Sequence, residues 1–176
     1  MNFPHIVFLD FDGPLFPEKI LLIPENNSDN EILKDLGLSP LVNYWKADPS
    51  IIAMLNSLYE LRSYFIVITS IWADYHEKEQ IESLLAINGL NITLHEDWKL
   101  NNSQESKGHK IKDWLSRHKI ADYMILDDDE SGEDFSNNNY LEKCKLNKHK
   151  IVTVSMEDGV SMSNFYKMKS IIANWD

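Results

Sequence analysis

Four short apolar runs, three of them stopping abruptly at an acid or a hydroxyl, constrain this chain more than any other feature. Ile6-Val7-Phe8-Leu9 ends at Asp10, Phe65-Ile66-Val67-Ile68 at Thr69 and Tyr123-Met124-Ile125-Leu126 at Asp127, with Ile151-Val152-Thr153-Val154 as the fourth. A short segment apolar on both faces needs cover on both sides, the condition of a parallel strand between two layers of helices. The intervening segments have helical periodicity. Asp48-Pro49 opens one that carries Ile52, Leu55, Leu58 and Tyr59, and Asn88-Gly89 closes one that carries Ile81, Leu84 and Leu85. A third runs from about Gly108 to His118 with Ile111, Trp114 and Leu115 on one face, and a last from about Ser161 to Trp175 with Phe165, Met168 and Ile172. Strand and helix alternate, so the expected fold is α/β, a doubly wound, Rossmann-like domain on a parallel sheet. Ile92–Leu94 reads as one more short strand.

Two stretches break the alternation. Leu15 to Ala47 holds prolines at 17, 24 and 40 and the run Asn26-Asn27-Ser28-Asp29-Asn30, which reads as a long loop or small flap with one helical turn near Glu31–Leu36. Asp127 to Asn139, acidic and then asparagine-rich, reads as an exposed loop. Nothing marks a second domain, and 176 residues of which 43% are hydrophobic suit a single domain over 1–176 with an insertion at 15–47.

Charge and cysteine usage exclude several functions. Lys and Arg sum to 17 against 28 Asp and Glu, a net charge of -11, so non-specific nucleic-acid binding is disfavoured. The lone Cys144 can make neither an intrachain disulfide nor a cysteine-rich metal centre, and a reducing compartment is expected. No Arg follows Cys144, so the thiol-phosphatase loop is absent and this residue reads as packing. No apolar run reaches the ~18 residues of a membrane span, and the first residues lack a basic segment. The expectation is a cytoplasmic chain without a secretory signal or membrane segment.

In a parallel α/β sheet, ligands bind beyond the carboxyl ends of the strands. Asp10 and Asp12 follow the first run, Thr69-Ser70 the second and Asp127-Asp128-Asp129 the third, with Lys107 at the start of the helix leading to the third. Several carboxylates packed together require a cation, and an all-oxygen set suits Mg²⁺. Lys107 and the Thr69 hydroxyl add a positive charge and a donor, completing a phosphate site. The segment Asp127-x-Asp129-x-Ser131-Gly132 also imitates a calcium loop, but Phe135 and Asn138 stand where ligands are needed.

These residues, in this order, resemble the haloacid dehalogenase (HAD) superfamily of aspartate-based phosphotransferases. Its Asp-x-Asp-Gly motif matches Asp10-Phe11-Asp12-Gly13, its strand-ending Thr or Ser matches Thr69, its Lys at a helix start matches Lys107 and its acidic pair matches Asp127-Asp128. Thr69-Ser70-Ile71-Trp72 and Ile125-Leu126-Asp127-Asp128-Asp129 are similar to a small bacterial group with little or no cap domain. Receiver domains use like residues but place their acids first, whereas here the acid pair comes last. Pro14, following Gly13, departs from the hydroxyl or small apolar residue of many relatives.

The resemblance implies a Mg²⁺-dependent phosphomonoester hydrolase in which Asp10 is the nucleophile, Asp12 the general acid and base, and Thr69, Ser70 and Lys107 the phosphate-binding groups. It implies Mg²⁺ held by Asp10, the Asp12 main-chain carbonyl and Asp128, with Asp127 orienting the metal's waters or Lys107. Lys110 lies one turn after Lys107; the latter is favoured because it precedes Gly108 as the pattern asks. Trp72, Tyr75 and Tyr44 are candidates for the substrate mouth. With no large cap, a phosphorylated macromolecule is the expected partner. A phosphoprotein carrying phosphotyrosine comes first, because an aromatic mouth would stack on its ring. Cap-less relatives include bacterial effector tyrosine phosphatases, hence translocation as an effector, and domains of RNA-repair proteins. The alternatives are therefore a polynucleotide-end or nucleotide phosphatase, and a HAD-fold binding module without turnover.

Overall fold

A computed structural model describes residues 3–22, 46–128, 135 and 137–175. Its centre is a parallel sheet of β1 (His5–Leu9), β2 (Phe65–Ile68), β3 (Leu94–Lys99), β4 (Asp122–Asp128) and β5 (Ile151–Val154), in the order β3-β2-β1-β4-β5. From β1 the chain moves outward through β2 to β3, then returns across the sheet to β4 and β5. The crevice at this reversal lies between the carboxyl ends of β1 and β4, where such a sheet binds its ligands.

The period-two alternation of strand side chains divides the core in two. Val7, Leu9, Ile66, Ile68, Met124 and Leu126 pack on one face with α1 (Pro49–Leu61), α3 (Lys78–Ile87) and α6 (Met162–Ala173). Ile6, Phe8, Val67 and Ile125 pack on the other with Ile111 and Trp114 of α4 (Lys107–Arg117) and Leu141 and Cys144 of α5 (Asn138–Cys144). A short α2 (Trp72–Tyr75) follows β2, and single 3₁₀ turns occupy Glu18–Leu22 and Lys148–Lys150. Among the described residues, no helix is long and apolar enough to cross a membrane.

Two expectations change. The strand read at Ile92–Leu94 starts at Leu94 and continues to Lys99, pairing with β2 from Ile66↔Leu94 to Ile68↔Lys99 across a register shift. At one edge of the sheet it is only half-buried beyond Leu94, so His95-Glu96-Asp97-Trp98-Lys99 lacks the apolar run that marks the other four strands. The acidic stretch from Asp127 is not wholly an exposed loop: Asp127 and Asp128 complete β4 opposite Thr153 and Val154, Phe135 is buried, and α5 begins at Asn138. Asn137 caps that helix by accepting the Asn139 N–H at 2.9 Å. The helical turn near Glu31–Leu36 and most of the 15–47 insertion lie outside the described residues.

The segment that re-enters the sheet after that insertion depends on a cap. Asp48 accepts the Ser50 N–H at 2.8 Å, Pro49 fills the first helical position, and the Lys19 ammonium lies 2.8 Å from the Asp48 carboxylate. Burial acts to raise the Asp48 pKa, but the bonds from Lys19 and Ser50 outweigh it and hold the carboxyl below its ordinary 3.8. A depressed folded pKa contributes stability above the unfolded value that is lost as pH falls through the folded one. Asp48→Ala should therefore cost about 1 kcal/mol in urea unfolding at pH 7, as a lost cap does. The difference from the parent should shrink as the pH is lowered below about 4, through the ordinary carboxylate pKa.

Candidate active site

Backbone pairing carries the chemistry-bearing residues to one line. The Asp10 N–H donates to Leu126 O at 3.0 Å and the Thr69 N–H to Leu9 O at 2.9 Å, so Asp10 sits between Thr69 and the end of β4. Asp127 and Asp128, as the last residues of β4, meet it there. Asp10, Asp127 and Asp128 are all buried, and one carboxylate oxygen from each lies within 4.8 Å of the others.

Three acids so close in a buried place repel one another, and Lys107 answers them. Its Nζ lies 2.9 Å from Asp10 Oδ2 and 2.9 Å from both oxygens of Asp127. Burial acts to lower the Lys107 pKa, but Asp127 and Asp10 outweigh it and hold the ammonium above its ordinary value. Burial foremost, with the charges of Asp10 and Asp128, pushes the Asp127 carboxyl up against the pull of Lys107. Lys107 can reach in because it begins α4. Gly108, next to it, lets the helix start approach α5: a Cβ there would meet Tyr140 Oη at 2.7 Å and Cys144 Sγ at 2.9 Å. The Gly108 N–H instead donates to Tyr140 Oη at 2.9 Å. Between the two lysines left open by the sequence, Lys107 therefore makes the contact with Asp10, while Lys110 lines the same cavity further along α4.

Asp12 takes a different position. The chain after β1 turns sharply: Leu15 and Phe16 N–H groups both donate to Phe11 O, and Gly13 at φ +81° brings the turn against β4, where a Cβ would meet Asp128 Cβ at 2.8 Å. The Asp12 carboxylate accepts Trp72 Nε1–H at 3.2 Å. Burial, then the Asp10 charge, push the Asp12 carboxyl above its ordinary value against that hydrogen bond.

The Trp72 ring lies flat on Phe16, centroids 5.3 Å apart at 5°, with Phe11 edge-on at 5.6 Å. Trp72 thus holds Asp12 and packs one ring face on Phe16, and it does not line the cavity beside Asp10. Tyr75 is exposed but does not line the cavity, and Tyr44 lies outside the described residues. The Ser70 hydroxyl faces the same cavity and accepts the Trp72 backbone N–H at 3.3 Å.

A cavity of about 630 Å³ opens above these groups, bounded by Ile71 and Asp74 after β2, Leu100 to Asn102 after β3, Lys110 on α4 and Met156 after β5. Met156 and the neighbouring loop were not foreseen from sequence; the Glu18 N–H donates to Met156 O at 2.9 Å, tying the turn after β1 to the loop after β5. A slightly larger groove of about 670 Å³ lies at the other end of the sheet, where β4 and β5 begin, away from the converging acids. Thr69 Oγ1 is buried beside Asp10 and, among the described residues, has no hydrogen-bond partner. A buried hydroxyl with nothing to bond is costly to folding, and its place at a strand end beside a carboxylate and an ammonium suits a bound oxyanion.

Comparison with known proteins gives the family and the fold. Residues 6–164 match the family described as the HAD domain in Swiss Army Knife RNA repair proteins, and the chain belongs to it. Among solved structures, the HAD domain of the effector protein Lem4 from Legionella pneumophila, an inactive mutant, is similar with a TM-score of 0.50 and 18% identity. That likeness covers 99% of this chain and 96% of that one, and shows the fold. A haloacid dehalogenase-like hydrolase from Streptococcus pneumoniae matches with a TM-score of 0.47 and 16% identity over 94% of this chain and 90% of that one. No curated protein sequence matches the chain.

The orphan hydroxyl separates a binding role from a folding role. Thr69→Val keeps the shape and removes an unsatisfied buried polar group, so the protein should be unchanged or about 1 kcal/mol more stable in urea. Inorganic phosphate should bind it at least tenfold more weakly by calorimetry.

Proposed function

We propose that this chain is a phosphomonoester hydrolase in which Asp10 forms an aspartyl-phosphate. The observation that carries the reading is the Lys107 bridge from Asp10 to Asp127 beside the unpartnered Thr69 hydroxyl, which couples a nucleophile to an oxyanion site. In the first step an Asp10 oxygen bonds to phosphorus as the bond to the leaving oxygen breaks, and Asp12 gives that oxygen its proton. The raised pKa of Asp12 fits it to carry that proton. In the second, Asp12 takes a proton from water as the water oxygen attacks phosphorus, and Asp10 leaves as a carboxylate with free phosphate as product. Thr69 donates to a phosphoryl oxygen, and Lys107 keeps Asp10 oriented while offsetting charge on the transferring group.

The donor set fits a hard divalent cation. One carboxylate oxygen each of Asp10 and Asp128 lies within 4.8 Å of the other, and with the Asp12 main-chain carbonyl these would hold Mg²⁺. When bound, Mg²⁺ supplies positive charge against the repulsion between phosphate and carboxylate.

The substrate we favour is the phosphorylated end of a polynucleotide. Its support is the RNA-repair setting in which the family is described, and a cavity lined, among the described residues, by no aromatic ring. Of the residues named for a phosphotyrosine platform, Trp72 stacks on Phe16 and Tyr75 does not line the cavity, while Tyr44 lies outside the described residues.

With an aryl phosphate and Mg²⁺, Asp10→Asn should lose at least a thousandfold in kcat while remaining folded by circular dichroism, and excess EDTA should abolish turnover of the parent. Activity surviving either change contradicts the mechanism. Asp12→Asn should lose far more on an alkyl phosphate than on an activated aryl phosphate whose leaving group needs no proton. Measured side by side, a 5′- or 3′-phosphorylated oligoribonucleotide should have a higher kcat/KM than a phosphotyrosine peptide; the reverse order returns the peptide to first place.

A further inference from the structure

The cavity wall holds one cation for which the mechanism has no use. Lys107 is committed to Asp10 and Asp127. Lys110 follows three residues later on α4, so it shares that face of the helix about 5–6 Å further along. Helical side chains lean toward the N-terminus, which for α4 is the end that delivers Lys107 to the acids. Lys110 lines the cavity and is half-buried. Among the described residues no carboxylate lies within ion-pair distance of it, although Asp10, Asp12, Asp74 and Asp128 line the same space. The loop after β3 brings Asn102, a neutral amide donor, to the same rim, whereas the neighbouring Asn101 amide donates to Asp113 Oδ2 at 3.2 Å.

We infer that Lys110, with the Asn102 amide, forms a second anion subsite that takes the phosphodiester adjoining the phosphomonoester held at Asp10 and Thr69. This rests on the phosphatase reading and deepens it. A polynucleotide end offers a neighbouring anion one nucleotide from the scissile phosphate, and a free aryl phosphate does not. The subsite explains how a chain of net charge -11 receives a polyanion: the attraction is local, at one rim of the cavity, and the general charge discourages binding elsewhere.

The experiment compares Lys110→Ala with Lys148→Ala, which removes the same charge from the opposite end of the sheet. The kcat/KM ratio of a 5′-phosphorylated oligoribonucleotide to an aryl phosphate should fall about tenfold in Lys110→Ala, chiefly through the oligonucleotide KM. It should stay within twofold of the parent's in Lys148→Ala. The dependence of oligonucleotide binding on log salt should flatten by about 0.7, the slope of one single-strand phosphate contact. The binding measurement uses fluorescence anisotropy in an Asp10→Asn background, so it reads the subsite even if hydrolysis is absent and the phosphatase reading fails. Equal losses on both substrates would mean that Lys110 serves the scissile phosphate, and no loss of oligonucleotide affinity would mean that it binds nothing there. A loss confined to phosphopeptides with an acidic neighbour would assign the subsite to a peptide carboxylate. Each of these overturns the inference.

Discussion

One ammonium makes this site possible. Asp10 and Asp127 project from adjacent parallel strands whose pairing leaves them no freedom to separate, and both are removed from water. Without a cation between them one of the two would be neutral, because like charges in a low-dielectric place cannot both stay ionised. Lys107 contacts both at 2.9 Å, and with the unpartnered Thr69 hydroxyl it turns an electrostatic liability into a preorganised place for an anion. Removing one partner of such a buried pair costs about 3–5 kcal/mol in typical cases, so fold and site share this contact.

Much of the remaining structure keeps that contact in register. The close approach of α4 and α5 at Gly108 delivers Lys107, while Gly13 allows the turn after β1 to lie against Asp128. The same turn places Asp12 apart from the ammonium, on the Trp72 indole N–H, and an aromatic stack of Phe11, Phe16 and Trp72 fixes both. Two aspartates two residues apart thus receive opposite environments. Asp10 is bonded to a cation, and Asp12 is half-desolvated with a raised pKa. The proposed nucleophile and the proposed acid thus differ by surroundings, not by residue type.

Global and local charge act differently here. A net charge of -11 repels a polyanion at long range, while the cavity concentrates Lys107 and Lys110 on one wall. Beyond a Debye length of about 8 Å at physiological salt the general field is largely screened, so the groups lining the mouth decide what enters.

The inner strands, the helices that cover them and the acids, hydroxyl and lysine at their ends were legible in the sequence, because each rests on local rules. Runs apolar on both faces mark β1, β2, β4 and β5, and proline and asparagine mark helix ends. β3 was misplaced because only Leu94 of its residues is fully buried, so it carries no such run, unlike β5 at the opposite edge, and Asp127-Asp128 also fell in a stretch read as a solvated loop because charge without its partner looks exposed. Trp72 was read as a mouth residue because an aromatic near a reactive threonine has two uses, and only the position of Phe16 chooses between them. The sequence by itself determined which chemistry could be assembled and in what order along the chain. Tertiary structure decided which lysine meets Asp10, which donor holds Asp12 and which cation is left facing the mouth, because those depend on distances between segments brought together only when the sheet closes.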